Sequence, residues 1–328
     1  MHEVVFGAGA GGQLCAPFDE NHLAAVAVQP GRLAQERQCG APCASRVLRA
    51  MLDDARMREQ PRDQARSEPQ RLDRTGFQLE FDEDFTGDTL NPQRWIPHYL
   101  PHWTTPERSA ARYDLCPGLL RLRIDSDQPA WRGADGEMRV SNLQTGSFSG
   151  PVGSPIGQHR HRPDLTVVTA QRTRRLYTPS AGLVEATMRA TPEPTCMLAF
   201  WLIGFEASPN ASGEICVAEL FGNAIGPERS HVRVGVKAHH DPRLSTDMDE
   251  LALELDATDW HTYSAQWTSE RIRFFIDDRL IRSVHQRIEY PLQLMVDLFE
   301  FPEHPERAPA AYPKIAEVKA VGGHRASA

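Results

Sequence analysis

Two glutamates, Glu214 and Glu219, lie five positions apart within the otherwise apolar segment 213–222. Moving a carboxylate out of water costs several kcal/mol unless another group compensates. An apolar strand that carries two such groups therefore indicates a place where the acids have a chemical role. The alternative without a chemical role is a pair of surface glutamates on an edge strand.

The register of this strand decides where the second acid points. Side chains alternate with a period of two along a regular strand, so Glu219 would enter the core with Ile215 and Val217. One extra residue, a β-bulge near Ala218, returns Glu219 to the face of Glu214. We favour the bulged register, because it puts the apolar side chains on one side and both acids on the other.

Two carboxylates that face a cleft are the chemical groups of retaining glycoside hydrolysis. One attacks the sugar as a nucleophile, and the other protonates the leaving oxygen and then activates water. The two carboxyl groups must then lie about 5–5.5 Å apart. Four regular strand steps span about 13 Å between Cα atoms, so the bulge and the curvature of the sheet must bring the acids closer.

From residue 77 onward the chain carries the pattern of many short strands. Runs of five to seven alternating residues are interrupted by Pro, Gly, Asp and Asn. Residues 232–237 put three valines on one face, and residues 277–279 predict a hairpin turn. The pattern predicts an all-β fold, a two-sheet antiparallel sandwich.

The acid pair resembles the catalytic signature of glycoside hydrolase family 16, Glu-x-Asp-x-x-Glu, which reads Glu214-x-Cys216-x-x-Glu219 here. Other segments resemble the strands of that family in the same order, from about residue 77 to about residue 320. They are residues 81–87 with 90, 91 and 95, then 118–122, 182–186, 199–204, 260–267, 271–277 and 291–294. The resemblance implies a concanavalin A-like, laminarinase-type jelly-roll β-sandwich.

The resemblance also implies a retaining endo-type glycosidase that hydrolyses O-glycosidic bonds of a β-linked polysaccharide. Glu214 would be its nucleophile and Glu219 its acid/base. Cys216 replaces the family's middle aspartate, which helps to set the protonation and orientation of the nucleophile. A thiol is only a weak hydrogen-bond donor, and it removes a like charge that would raise the pKa of its neighbours. The nucleophile can still ionise, whereas its positioning and the level of activity depend on this replacement.

Two further positions depart from the family. The Trp-Pro that often precedes Ala-Phe-Trp is replaced by Met197 and Leu198, which removes one sugar-stacking platform. The family's histidine on the next strand corresponds to Lys237, or else to His239 or His240.

Four residues are our candidates for substrate binding. Lys237 and Phe221 flank the acid pair in the expected sandwich. Trp201 either stacks on a sugar ring or belongs to the core. Trp103 lies in a loop-like stretch, where an aromatic side chain either lines a cleft or packs in the interior.

We expect no cofactor and no metal site. His159 and His161 alternate with arginines in a Pro-containing loop, and without further ligands they favour a solvated basic loop over a metal site.

Two alternatives to hydrolysis stay open. The first is a catalytically impaired carbohydrate-binding sandwich, which Cys216 and the missing family residues favour. The second is a transglycosylase that uses the same acid pair.

The chain divides into three predicted parts. Residues 1–76 form a mostly disordered N-terminal extension, because residues 56–74 are too polar to bury enough surface to offset chain entropy. Residues 77–320 form the family 16-like sandwich, and residues 321–328 form a C-terminal tail.

Composition limits the partners. The net charge of −8 gives no electrostatic support for nucleic-acid binding. The sequence has no run of 18 consecutive apolar residues, so we expect no membrane span. The N-terminus lacks a basic segment followed by an apolar run, so no signal peptide is expected. We expect a monomer with a polysaccharide or oligosaccharide substrate. The expected location is cytoplasmic as encoded, and extracellular if the start site or the export route is atypical.

Overall fold

The computed structural model describes residues 70–206, 208–301 and 311–327. Almost all regular structure in these ranges is antiparallel β-strand, which confirms the predicted jelly-roll sandwich. In chain order the strands are β1 Phe77–Glu83, β2 Arg112–Cys116, β3 Leu119–Ile124, β4 Arg139–Gln144, β5 Gly146–Ser147, β6 Arg174–Arg175, β7 Gly182–Arg189, β8 Cys196–Gly204, β9 Glu214–Phe221, β10 Ser230–Lys237, β11 Asp247–Leu253, β12 His261–Trp267, β13 Ile272–Ile276, β14 Arg279–Val284, β15 Leu292–Glu300 and β16 Lys314–Ala326.

The helical elements of the described ranges are short. One is an α-helix, α1 (Pro106–Ser109), and three are 3₁₀ turns at Pro101–Trp103, Gly133–Asp135 and Gly222–Ala224. Among the described residues, no helix has the length and apolar character that crossing a bilayer requires.

The strands form two main sheets. One has the order β14-β13-β12-β7-β16-β3-β2, with β1 also paired to β16, and the other has the order β11-β10-β9-β8-β15-β4. Strands β5 and β6 form a separate ribbon. Alternation along β8 shows how the core forms: Leu198, Phe200 and Leu202 lie in the main core cluster with side chains of the other sheet.

A second apolar cluster lies on the opposite, outer face of the six-stranded sheet. Loop residues from positions 99–103, 131–138 and 165–167 pack there against outward side chains of β4, β8 and β15. We call this group the outer cluster. Its buried members are Tyr99, Leu100, Trp103, Trp131, Val140, Leu165, Val167, Met197, Ala199, Trp201, Ile203, Met295 and Phe299.

Both predicted boundaries of the sandwich need correction. Leu72 packs with Leu183 and Phe275, so the sandwich includes residues before position 77. At the other end, β16 extends to Ala326, which pairs with Phe77, so residues 321–326 are strand and not tail. The glycines at 322 and 323 obscured this strand in the sequence. The rest of the predicted N-terminal extension lies outside the described residues.

Candidate active site

The strand that carries the two glutamates contains the predicted bulge. On the β8 side, Phe200 pairs with Ala218 and the next residue, Trp201, pairs with Cys216, which leaves Val217 as the extra residue. On the β10 side, the same irregularity separates the pairs of Glu219 and Cys216. The β-bulge near Ala218 is confirmed.

The bulge sorts the side chains as expected. Ile215, Val217, Ala218 and Leu220 belong to the core between the sheets. Oxygens of Glu214 and Glu219 and the sulfur of Cys216 lie within 4.8 Å of one another on the outer face. The two carboxylates are therefore closer together than their Cα separation on a flat strand would allow.

Lys237, at the end of β10, contacts both acids. Its Nζ atom lies 2.8 Å from Glu214 Oε1 and 2.7 Å from Glu219 Oε1. Burial lowers the pKa of this ammonium, but the neighbouring acids, Glu214 foremost, outweigh burial and raise it above its ordinary value. Lys237 thus holds a positive charge between two carboxylates.

Glu214 has a second partner in His239, whose Nε2 atom lies 2.7 Å from Glu214 Oε2. The side chain of Glu214 is buried, with 3% of the residue exposed. Burial raises the pKa of Glu214, but the hydrogen bond with His239 and the charge of Lys237 outweigh burial and lower it to about 2. Glu214 is consequently an ionised, oriented carboxylate at neutral pH, which is the state that a nucleophile requires.

Cys216 lies between the acids as a fully buried free thiol. Its Sγ atom is 3.9 Å from the backbone oxygen of Arg233. Burial and the charge of Glu219 raise the pKa of this thiol well above its ordinary value, so it stays neutral. The position of the family's aspartate therefore contributes no charge, and Lys237 and His239 are the groups that pair with Glu214.

His159 also reaches the site, which the sequence did not indicate. Its ring centroid lies 4.9 Å from that of His239 and 5.8 Å from that of Trp201. Burial and the charge of His239 lower the pKa of His159 to about 3. The expectation of a solvated basic loop is wrong for His159. The ring centroid of His161 lies 5.6 Å from that of His159, and its Nε2 atom is 3.4 Å from Asp135.

The site holds two sets of side chains with the chemistry of metal ligands. Ligand atoms of His159, Glu214 and His239 lie within 4.8 Å of one another, and so do those of Glu214, Cys216 and Glu219. Two imidazoles and a carboxylate form a donor set that suits zinc. In the second set, the Lys237 ammonium already supplies the positive charge that the acids face.

The structure separates the four candidates for substrate binding. Trp103 is 1% exposed and donates its indole N–H to the Gln158 backbone oxygen at 2.8 Å, so it has no free face for a sugar and the expectation was wrong. Trp201 is 5% exposed and belongs to the outer cluster, which favours the packing role. Lys237 and the partly exposed Phe221 remain accessible beside the acids.

Trp201 is held in place by a buried acid. Its indole N–H donates to Asp297 Oδ2 on β15. Burial raises the pKa of Asp297 well above its ordinary value, although the bond from Trp201 works in the opposite direction. Of the alternatives for the family's histidine, His240 lies apart, with its ring against the Arg160 backbone oxygen.

Comparisons with known proteins bear on the family and the fold. Residues 171–307, which include both glutamates, match the family model for glycosyl hydrolases family 16, and this match confirms the resemblance. A search of curated proteins gives no match.

Solved structures share the fold at low sequence identity. A GlcNAcα1-4Gal releasing endo-β-galactosidase from Clostridium perfringens superposes with a TM-score of 0.67 at 21% identity, over 77% of this chain and 64% of that one. This chain thus spans less than two thirds of that protein. An endo-1,3-β-glucanase (laminarinase) catalytic domain from Thermotoga petrophila gives 0.54 at 13% identity, over 77% and 99%. A β-glucanase from Bacillus licheniformis gives 0.51 at 15%, over 74% and 96%.

Proposed function

We propose that this chain, whose residues 171–307 match the family model for glycosyl hydrolases family 16, is a retaining glycosidase that hydrolyses a β-linked polysaccharide. Glu214 attacks the anomeric carbon and Glu219 transfers the protons. The observation that supports this proposal most directly is the bulge, which turns both acids to the outer face and leaves their oxygens within 4.8 Å of each other. That spacing suits retention and leaves no room for the separate water of an inverting enzyme.

The charges of the site fit the nucleophilic step. With its pKa near 2, Glu214 is ready to form the glycosyl–enzyme bond, and its negative charge disappears as that bond forms. To act as the acid, Glu219 must first take up a proton and give up its 2.7 Å contact with Lys237. It then protonates the departing oxygen, and in the second step its carboxylate removes a proton from water.

A screen with purified protein tests the proposal. The panel contains laminarin, a mixed-linkage β-1,3-1,4-glucan and β-galactans, because the structural neighbours named above act on β-glucans and β-galactosides. We expect turnover of one class, and Glu214→Gln should lower kcat at least ~10³-fold, as loss of a nucleophile commonly does. Glu270→Gln, at an exposed glutamate, is the matched control. Full activity in Glu214→Gln would contradict the proposed role.

One observation favours a second candidate, a sugar-binding protein without turnover. Lys237 lies between the acids, where the scissile bond must pass, and Cys216 replaces the family's aspartate. Oligosaccharide binding without hydrolysis of any panel member would support this candidate. A large gain in rate in Cys216→Asp would show that the encoded site is impaired, and longer products than the substrate would indicate transglycosylation.

A further inference from the structure

The direction of a bound glycan follows from the placement of the acids. This inference rests on the proposed function. The nucleophile and the acid/base act on the scissile bond from its two sides, and here both lie along one strand, β9. A sugar chain that passes between them must cross β9, with one part over β8 and the other over β10.

The β8 side of this path is covered by protein. Outward side chains of β4 and β15, including Asn142, Gln144, Gln293, Met295 and Asp297, are fully buried. Loop residues take their hydrogen bonds: the Leu100 N–H donates to Gln144 Oε1 at 3.1 Å, and Gln158 Nε2 donates to Gln293 Oε1 at 2.6 Å. The positions that would hold sugars over β8, β15 and β4 are therefore filled.

We call the loop residues that pack over β8, β15 and β4 the cover, and their large side chains are buried. Trp103 and Trp131 are each 1% exposed and Leu100 is fully buried. Burial of each of these large apolar side chains stabilises the closed arrangement. The two tryptophans also donate their indole N–H groups to backbone oxygens of loop residues, Trp103 to Gln158 and Trp131 to Tyr99. These loop residues are thus packed as part of the folded domain.

His159 is the residue of the cover that lies beside the acids and forms its wall. His159 contacts both Trp201 on β8 and His239 next to Glu214. A glycan that enters from the β10 side meets this wall just beyond the nucleophile.

The β10 side is open and polar. The side chains of Arg233 and Glu250 are 45% and 51% exposed, and these residues pair across β10 and β11. The Arg233 guanidinium also lies 5.3 Å from the Phe221 ring. Charged donors and acceptors beside an aromatic ring offer a surface suited to sugar hydroxyls and sugar C–H faces.

We infer that the groove is closed at one end, so that the enzyme binds a chain terminus and releases a short terminal piece of constant length. This mode of cleavage replaces the random internal cutting that an endo-type glycosidase would show. The long polymer lies over β10 and β11, and the terminal piece lies between the acids and His159.

Product analysis on the most active substrate of the panel tests this inference. From the earliest time points we expect one short oligosaccharide, with little loss of viscosity as reducing ends accumulate. A broad ladder of medium-sized products with an early fall in viscosity would overturn the inference while leaving the proposed function intact. No hydrolysis of any substrate would contradict the proposed function itself, and the inference with it.

A variant pair gives an independent measurement. Arg233→Ala should raise KM several-fold, because Arg233 lines the open half over which the polymer would lie. Arg189→Ala, on the other sheet, is the control and should leave KM unchanged. An unaltered KM in Arg233→Ala would place the glycan elsewhere.

Discussion

The Lys237 ammonium lies between the carboxylates of Glu214 and Glu219 and reduces their mutual repulsion. Two carboxylates within 4.8 Å of each other repel strongly in a buried setting, because a low dielectric strengthens like-charge repulsion as well as attraction. A single ammonium in contact with both, together with His239, offsets that repulsion. The family resemblance placed Lys237 near the acids, but only the structure shows that it bridges them.

Replacing Lys237 should change the pH dependence of catalysis. In Lys237→Met the pKa of Glu214 rises, because burial remains and the compensating charge is lost. The acid limb of kcat/KM should therefore move to higher pH by about 1–3 units, so that activity falls more at low pH than at neutral pH. Lys319→Met, an exposed lysine on the other sheet, is the control. A pH profile in Lys237→Met identical to that of the parent would contradict this role.

Strand pairing controls the site at the scale of elements. Gly235 on β10 pairs with Cys216 at the bulge and has a φ of 150°. A Cβ atom there would lie 2.2 Å from the Asp247 backbone oxygen. Only glycine therefore allows β10 to pair with both β9 and β11 at this position. This close approach keeps Lys237, two residues on, in reach of the acids.

Gly235→Ala should therefore weaken both stability and activity. We expect the free energy of unfolding to fall by about 1–3 kcal/mol, the usual size of local backbone strain, with a loss of kcat as Lys237 shifts. Urea unfolding and steady-state kinetics measure the two effects. Gly322→Ala on β16 is the control, since its nearest neighbour would be 3.5 Å from the added Cβ. Equal stability of the two variants would argue against the strain at Gly235.

The elements also show what the sequence can predict. The bulge was predictable, because only one register sorts Ile215, Val217 and Leu220 from both glutamates. The loop packing over β8 and β15 was not, because the loop residues have no periodicity and their partners lie far along the chain, as Gln158 and Gln293 do. The same long-range packing brings His159 to the acids, and no local signal in the sequence encodes it.

At the scale of the whole molecule, stability depends on a buried acid at the edge of the cover. Glu206 is 8% exposed and accepts the His159 backbone N–H at 2.6 Å. Burial raises its pKa from the ordinary 4.5 to about 8, although this hydrogen bond lowers it. Because the pKa of Glu206 is raised in the folded protein, the contribution of its protonated form to the free energy of unfolding is complete below pH 4.5. This contribution is lost as the pH rises through 8.

Glu206→Gln should remove this dependence. Relative to the parent, the variant should become more stable as the pH rises from 4 to 9, since each unit of pKa shift corresponds to about 1.4 kcal/mol. Urea unfolding at several pH values measures the difference, with Glu270→Gln as an exposed control. A difference in unfolding free energy that stays constant across this range would show that Glu206 does not titrate as described.

The central claim is that Glu214 is the nucleophile and Glu219 the acid/base of one retaining site, and azide rescue tests it most directly. In Glu219→Ala, azide should restore turnover of an activated β-glycoside and give the β-glycosyl azide, because the covalent intermediate still forms on Glu214. In Glu214→Ala, azide should give the α-product by direct attack. The opposite pairing of variants and products, or an α-product from both, would contradict the assignment.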